Sequence, residues 1–258
     1  MSNIRGDITM QLIIYIIIGF LAQMIDGTMG MAYGVSCRTF LRSVAGLPPA
    51  LASAVVHVSE IPTTLVSGIS HFAMKNVDKK LLLKLLIPGV VGGVLGAYFL
   101  CGAGDVLEPV IDVYLIIMGG IIISKAIRGK HDGDGKIGAL VYPLGLAGGF
   151  FDAAGGGGWG PIVTSTMVAR GGDVKKTIGT VNTAEFIVTI AETTAFAALV
   201  GDFTSHMPII LGLVIGGVIA APFAALLCKK IPVRPLLAAV GTLIAGLNIY
   251  NLIKFFIS

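Results

Sequence analysis

The sequence predicts an all-α, polytopic membrane protein made of two inverted repeats of five elements each. Three observations predict this class: an apolar composition, ten apolar runs, and a repeat whose loops change charge between the halves. Hydrophobic residues make up 55% of the 258 residues and charged residues only 12%. The mean hydropathy of +0.92 is far above that of soluble domains. We therefore expect one transmembrane domain over residues 1–258.

The apolar runs predict the helices and their order. They cover about 10–27, 30–45, 49–73, 82–103, 109–127, 137–153, 158–169, 177–200, 206–228 and 235–257. Most approach the roughly 20 residues that a membrane helix needs, whereas the second and seventh are short. We predict that each half consists of two short, broken or re-entrant segments, of which the second is the shorter, followed by three spanning helices. Run lengths alone leave open whether the short segments span the bilayer or form re-entrant hairpins.

The two halves match each other in sequence. A shift of 126 residues places Asp152 on Asp26 and Gly160 on Gly34, and a shift of 125 places Glu185 on Glu60. Matches in the same order across five elements indicate a repeat. Repeat one covers about residues 8–128, and repeat two covers about residues 136–258.

Loop charge predicts that the repeats are inverted. The loop after the third run is basic in repeat one and acidic in repeat two, and the next loop shows the opposite pattern. The residues are Lys75, Lys79, Lys80 and Lys84 against Asp202, then Asp105 and Glu108 against Lys229, Lys230 and Arg234. Because basic loops stay in the cytoplasm, matching loops lie on opposite faces of the membrane. Both termini are then expected outside.

The stretch from Tyr142 to Arg170 contains the clearest break in an apolar run. Asp152 is followed by four consecutive glycines, Trp159, Gly160 and Pro161. Glycine permits close approach, and Pro161 suits the first turn of a helix. We therefore expect free backbone N–H groups from Gly158 to Val163 to form an anion site. A glycine-rich helix contact or a flexible loop is the alternative interpretation.

Ionisable residues inside the apolar runs are candidate functional groups because their burial is costly. His57 and Glu60 share a polar stripe with Ser53 and Thr64, and Glu185 shares another with Asn182, Thr189 and Glu192. We predict proton coupling at Glu60, Glu185, Asp26, Asp152 and Glu192. We predict substrate binding at Gly30, Gly34, Arg38, His57, Gly155, Gly156, Gly157, Gly158, Trp159, Gly160, Asn182 and Thr183. Interhelical hydrogen bonding is the alternative role for the stripes.

Other residues carry less specific signals. Arg42 is expected to extend its side chain to the outer interface, and His71 and His206 to be solvated. Cys37, Cys101 and Cys228 lie in apolar segments without CxxC spacing, so neither a disulfide nor a metal site is expected. The chain lacks HExxH and GxSxG motifs and a basic recognition helix. We expect no enzyme activity, no cofactor and no nucleic-acid partner.

The break FDAAGGGGWGP, the following VxxxE stripe and the GGVLGA and GGVIAA runs resemble the sulfite exporter family that includes TauE and SafE. The resemblance covers essentially the whole chain. It implies a secondary transporter of sulfite, sulfonates or related organosulfur anions in the cytoplasmic (inner) membrane. We expect transport to occur by alternating access around a midplane site. Its glycine-rich tips map onto Gly27, Gly30 and Gly34, and onto Gly155 to Gly158, Gly160 and Pro161.

The sequence is compatible with an alternative substrate class and with two ways of packing one helix face. A cation or divalent-metal transporter could use the buried acids and His57 as ligands. The small-residue face of Gly92, Gly93 and Gly96 is compatible with packing within one protomer or in a homodimer.

Overall fold

The computed structural model describes residues 2–127, 138–201, 204–227 and 233–257, and every regular element within these ranges is helical. The helices are α1 Ser2–Met29, α2 Tyr33–Ser43, α3 Pro49–Ala73, α4 Lys79–Ala103, α5 Glu108–Ile127, α6 Val141–Gly155, α7 Ser165–Ala169, α8 Val174–Val200, α9 Met207–Leu227 and α10 Val233–Ile257. A π-helical turn, Trp159–Thr164, leads into α7. The predicted all-helical class is confirmed, and each predicted apolar run corresponds to a helical segment.

Five of the described helices are long and apolar enough to cross a membrane. They are Met10–Met29 within α1, and α3, α4, α8 and α9 in full. Large apolar side chains such as Ile87, Leu95 and Ile117 are exposed on the outside of the bundle. A surface of this kind suits a lipid environment, so the chain is a multi-pass membrane protein.

The two short arms do not have the length of a membrane span. Helix α2 has 11 residues, and so does the combined segment of the π-helical turn and α7. At about 1.5 Å per residue, each arm extends roughly 16 Å, or half of a hydrocarbon core of about 30 Å. The rings of Tyr15 in α1 and Phe40 in α2 meet edge-on, with centroids 6.3 Å apart. Helix α2 therefore runs back alongside α1.

The long helices pair in a pattern that occurs twice. Helix α1 packs parallel to α9, and α6 packs parallel to α4. In both pairs glycines permit the close approach, as when Gly149 lies against the backbone of Gly89. Gly92 and Gly96 also lie against the backbone of α6, and Gly93 lies against Glu192 of α8. This glycine face packs within the protomer, so it gives no support to a homodimer.

Helices α3 and α8 form the centre and run antiparallel. His57 in the first half of α3 reaches Glu192 near the end of α8, and Ser67 later in α3 donates to Asn182 near the start of α8. Helices α5 and α10 pack together at Gly119 and Gly241, where the two backbones approach each other closely. The polar stripes predicted on α3 and α8 consequently face each other.

Polar contacts hold α2 against α5 and α10. Arg42 Nη1 lies 2.5 Å from Asp112 Oδ1, and its Nη2 lies 3.6 Å from Glu108 Oε2. Asn248 of α10 donates to Thr39 Oγ1 at 3.1 Å. The prediction that Arg42 extends to the interface is wrong because Asp112, buried in α5, offers it a carboxylate partner within the protein.

Candidate substrate-binding site

The two glycine-containing breaks meet inside the bundle. Thr164 Oγ1, at the end of the π-helical turn, donates to the carbonyl oxygen of Gly30 at 2.7 Å. A Cβ built on Gly34 would lie 3.0 Å from Cα of Gly157 and 3.2 Å from Glu60 Oε1. The break in the first half of the chain therefore packs directly on the break in the second half, beside a carboxyl group of α3.

The backbone at this meeting point requires glycine. Gly30, Gly156 and Gly157 have φ angles of 66°, 69° and 142°. A Cβ on Gly156 would collide with the Arg38 side chain, and one on Gly157 would collide with the backbone nitrogen of Val35. Both conformation and space thus favour glycine at these positions.

Asp152 binds the backbone of the second break through hydrogen bonds. Its Oδ1 accepts hydrogen bonds from the backbone N–H groups of Gly158 at 2.7 Å and Trp159 at 3.0 Å. The N–H of Ile162 donates to the carbonyl of Gly158 at 2.9 Å. The prediction of free N–H groups is therefore wrong for Gly158, Trp159 and Ile162, whose N–H groups already have acceptors within the protein.

A buried cluster of titratable side chains joins α3, α6 and α8. His57 Nδ1 lies 2.9 Å from Glu60 Oε2 and 3.3 Å from Glu192 Oε2. Ligand atoms of His57, Glu60 and Asp152 lie within 4.8 Å of one another. The His57 ring stacks on Phe196 with centroids 5.5 Å apart. Five predicted site residues are thus close together or border the break: His57, Glu60, Asp152, Glu192 and Gly34.

Asp26 and Glu185 are also buried, with relative exposures of 2% and 5%. Asn182 accepts from Ser67 at 2.8 Å and donates to the carbonyl of Ile178 at 3.1 Å. Thr183 donates to the carbonyl of Gly179 at 2.7 Å, and its Cα would lie 3.4 Å from a Cβ on Gly68. Asn182 and Thr183 therefore make contacts at the α3–α8 interface.

Arg38 is a fully buried cation beside the second break. Its guanidinium donates to the carbonyl oxygens of Gly155 and, at 3.4 Å, Pro49. Within the part of the chain that the structure describes, Nε has no hydrogen-bond partner and no carboxylate lies within 4.0 Å of the guanidinium. Burial of a cation paired only with neutral carbonyls is costly.

Trp159 packs away from the carboxyl cluster. Its side chain is fully buried, its ring lies against Gly89 of α4 and Gly148 of α6, and its Nε1 donates to the carbonyl of Val181 at 3.1 Å. Gly155 and Gly158 pack against Tyr114, and Gly160 packs against Met31 and the carbonyl of Gly30. These contacts fix the shape of the break from three sides.

Sequence reasoning missed several buried polar residues. His71, predicted to be solvated, is buried, with Nε2 3.2 Å from the carbonyl oxygen of Gly27 and Nδ1 3.2 Å from Asn76 Nδ2. The signal was present, because Ser67 and His71 continue the α3 stripe at helical spacing. Asp112 lies inside the fifth apolar run, so the sequence also indicates that this acid is buried, as the structure shows.

An all-helical bundle with membrane-length apolar helices and a buried polar site between two broken elements defines the chain as a polytopic membrane transporter. The family model "Sulfite exporter TauE/SafE" matches residues 15–251, and the chain belongs to that family. It is 39% identical over 257 residues to the "Probable membrane transporter protein YtnM" of Bacillus subtilis (strain 168), covering 96% of this chain and 85% of that protein. No solved structure gives a significant match. Family and relative are transporters, so this chain is not an enzyme.

Proposed function

We propose that this chain is a proton-coupled secondary transporter of small organosulfur anions, such as sulfite or sulfonates, in the cytoplasmic membrane. The observation that carries the proposal is Arg38, a buried guanidinium beside the meeting glycine breaks with no carboxylate within 4.0 Å among the described residues. A small oxyanion is the natural partner for such a group, because guanidinium donors match two oxygens at once.

A substitution of Arg38 tests the anion site. We expect sulfite to raise the unfolding midpoint of the purified wild-type protein, and Arg38→Gln to remove that increase, because a ligand that binds only the folded state stabilises it. Arg38→Lys keeps the charge without the planar donor pair, and we expect it to retain a smaller increase. Arg42→Gln is the matched control, since Arg42 already has carboxylate partners. An equal midpoint shift in Arg38→Gln and wild type would remove Arg38 from the site.

The buried acids support coupling to protons. Asp26, Glu60, Asp152, Glu185 and Glu192 are all buried, and desolvation disfavours charged carboxylates. A bound anion disfavours the same charges, so proton and anion bind cooperatively at neighbouring groups. Cooperative binding of this sign corresponds to symport.

We further propose that the repeats are inverted and that transport occurs by alternating access around the midplane. Two features support this. The corresponding helices α3 and α8 run antiparallel, with His57 near Glu192 and Ser67 near Asn182. The pairing of α1 with α9 is repeated by α6 with α4. Helices related in this way exchange environments when one repeat moves against the other.

Cysteine labelling tests the inverted arrangement. In a background without the three native cysteines, Lys80→Cys should react with a membrane-impermeant maleimide only from the cytoplasm. Ser205→Cys should react only from outside, because the loop charges of the two halves have opposite signs. Both positions are exposed, so access to the side chain does not limit the reaction. Labelling of both from one side would exclude inversion.

Transport of a cation or divalent metal is the second candidate. The close approach of His57, Glu60 and Asp152 favours it, since imidazole and carboxylate groups are metal ligands. Thermal unfolding in the presence of sulfite, taurine, Mn²⁺ or Zn²⁺ separates the two. Stabilisation by an anion alone supports the proposed function, and stabilisation by a divalent cation alone supports the second candidate.

A further inference from the structure

We propose that a groove on the outside of α4 and α6 binds one anionic phospholipid. The walls of the groove are Leu83, Ile87 and Val91 from α4 and Leu146 from α6. All four side chains are exposed, so the groove that they form on the surface of the bundle is apolar. The proposal does not depend on which substrate the protein transports.

The floor of the groove is rigid because α4 and α6 touch there. A Cβ on Gly145 would lie 3.0 Å from Cγ of Pro88, and Gly149 lies against the backbone of Gly89. Pro88 and Pro143 both line the groove. The concave surface therefore belongs to the fold itself.

The lining of the groove is almost entirely apolar, and two residues with polar ends, Lys84 and Tyr142, contribute to it near the starts of α4 and α6. Both residues are exposed. No carboxylate of the described chain lies within 4.0 Å of the Lys84 ammonium group. The same end of the bundle contains Lys79, Lys80 and Lys176, since the backbone N–H of Asp78 before α4 donates to Thr180 near the start of α8.

This arrangement matches the shape and charge of a phospholipid. A phosphate at the Lys84 end would face a cation without a partner, and an acyl chain would cover the apolar walls towards the membrane centre. A basic group near the surface contributes about 1 kcal/mol to the binding of an anionic lipid, or roughly fivefold in affinity. A zwitterionic lipid offers the same chain without the net charge.

Native mass spectrometry of the detergent-purified protein, titrated with phosphatidylglycerol or phosphatidylcholine, tests the proposal. We expect one phosphatidylglycerol to be retained at least several-fold more strongly than phosphatidylcholine. Lys84→Gln should reduce this preference about fivefold. Lys176→Gln, which removes an exposed lysine from the same end but outside the groove, should leave it unchanged.

A second pair of variants tests the apolar part of the groove. Ile87→Trp places a large indole ring within the groove and should weaken retention of both lipids. Leu95→Trp adds the same ring to an exposed position of α4 outside the groove and should have no effect. Equal retention of the two lipids, or loss of preference in Lys176→Gln as large as in Lys84→Gln, would overturn the proposal and indicate non-specific surface lipid only.

Discussion

Gly157→Val is expected to abolish transport. Its φ angle of 142° is one that a β-branched residue rarely adopts, and its Cβ would collide with the backbone nitrogen of Val35 at the start of α2. Strain of this kind costs about 1–3 kcal/mol, and relief of the collision requires the two breaks to move apart. Sulfite uptake into proteoliposomes measures the loss, and the unfolding midpoint measures the strain.

Gly158→Val should have a similar effect, because its Cβ would lie 2.6 Å from the carbonyl carbon of Phe151. Gly102→Val is the control, since no atom lies within 4 Å of a Cβ at that position and its backbone is helical. We expect near wild-type uptake from Gly102→Val. Wild-type uptake by Gly157→Val would show that the contact between the two breaks is not needed for transport.

Glu185→Gln is expected to abolish accumulation driven by a pH gradient while anion binding persists. Glutamine has the shape of the protonated side chain and cannot release a proton. For one proton per anion, a gradient of one pH unit supports about tenfold accumulation, which this variant should lose completely. Flux into proteoliposomes with and without an imposed gradient measures the effect. Glu60→Gln should show the same or a weaker loss.

The alternative role of these glutamates gives a different result. If Glu185 only forms hydrogen bonds between helices, glutamine can still donate and accept, and pH-driven accumulation should be unchanged. Unchanged accumulation in both Glu185→Gln and Glu60→Gln would remove the two residues from the coupling mechanism. Loss of sulfite-dependent stabilisation in Glu185→Gln would instead place Glu185 in the anion site.

The helices could be predicted from sequence because lipid demands long apolar segments, and each run gives a direct signal. The partners of individual polar groups were not predictable. Arg42 pairs with Asp112, which lies 70 residues away in the chain, and Asp152 bonds to N–H groups assigned to the substrate. Such pairings depend on side-chain geometry after the helices have packed, which periodicity does not report.

Trp159 illustrates the same limit. As the single tryptophan, next to four glycines, it was a reasonable candidate for a substrate contact. In the structure its ring fills the space that Gly89 and Gly148 leave between α4 and α6. Its indole N–H donates to the carbonyl oxygen of Val181. Gly89 and Gly148 are part of the reason, since small residues on neighbouring helices create room for a large ring.

The hydrogen bonds of Asp152 link the charge of one side chain to the shape of the main chain. While the carboxylate is ionised, Gly158 and Trp159 donate to it through charge-assisted bonds, which are about twice as strong as neutral ones. Neutralisation of the carboxylate weakens these hydrogen bonds. The glycine-rich segment that they hold can then change its conformation easily. We therefore expect the position of the break to depend on the charge of Asp152, and Asp152→Asn to loosen the break even though the side chain keeps its size.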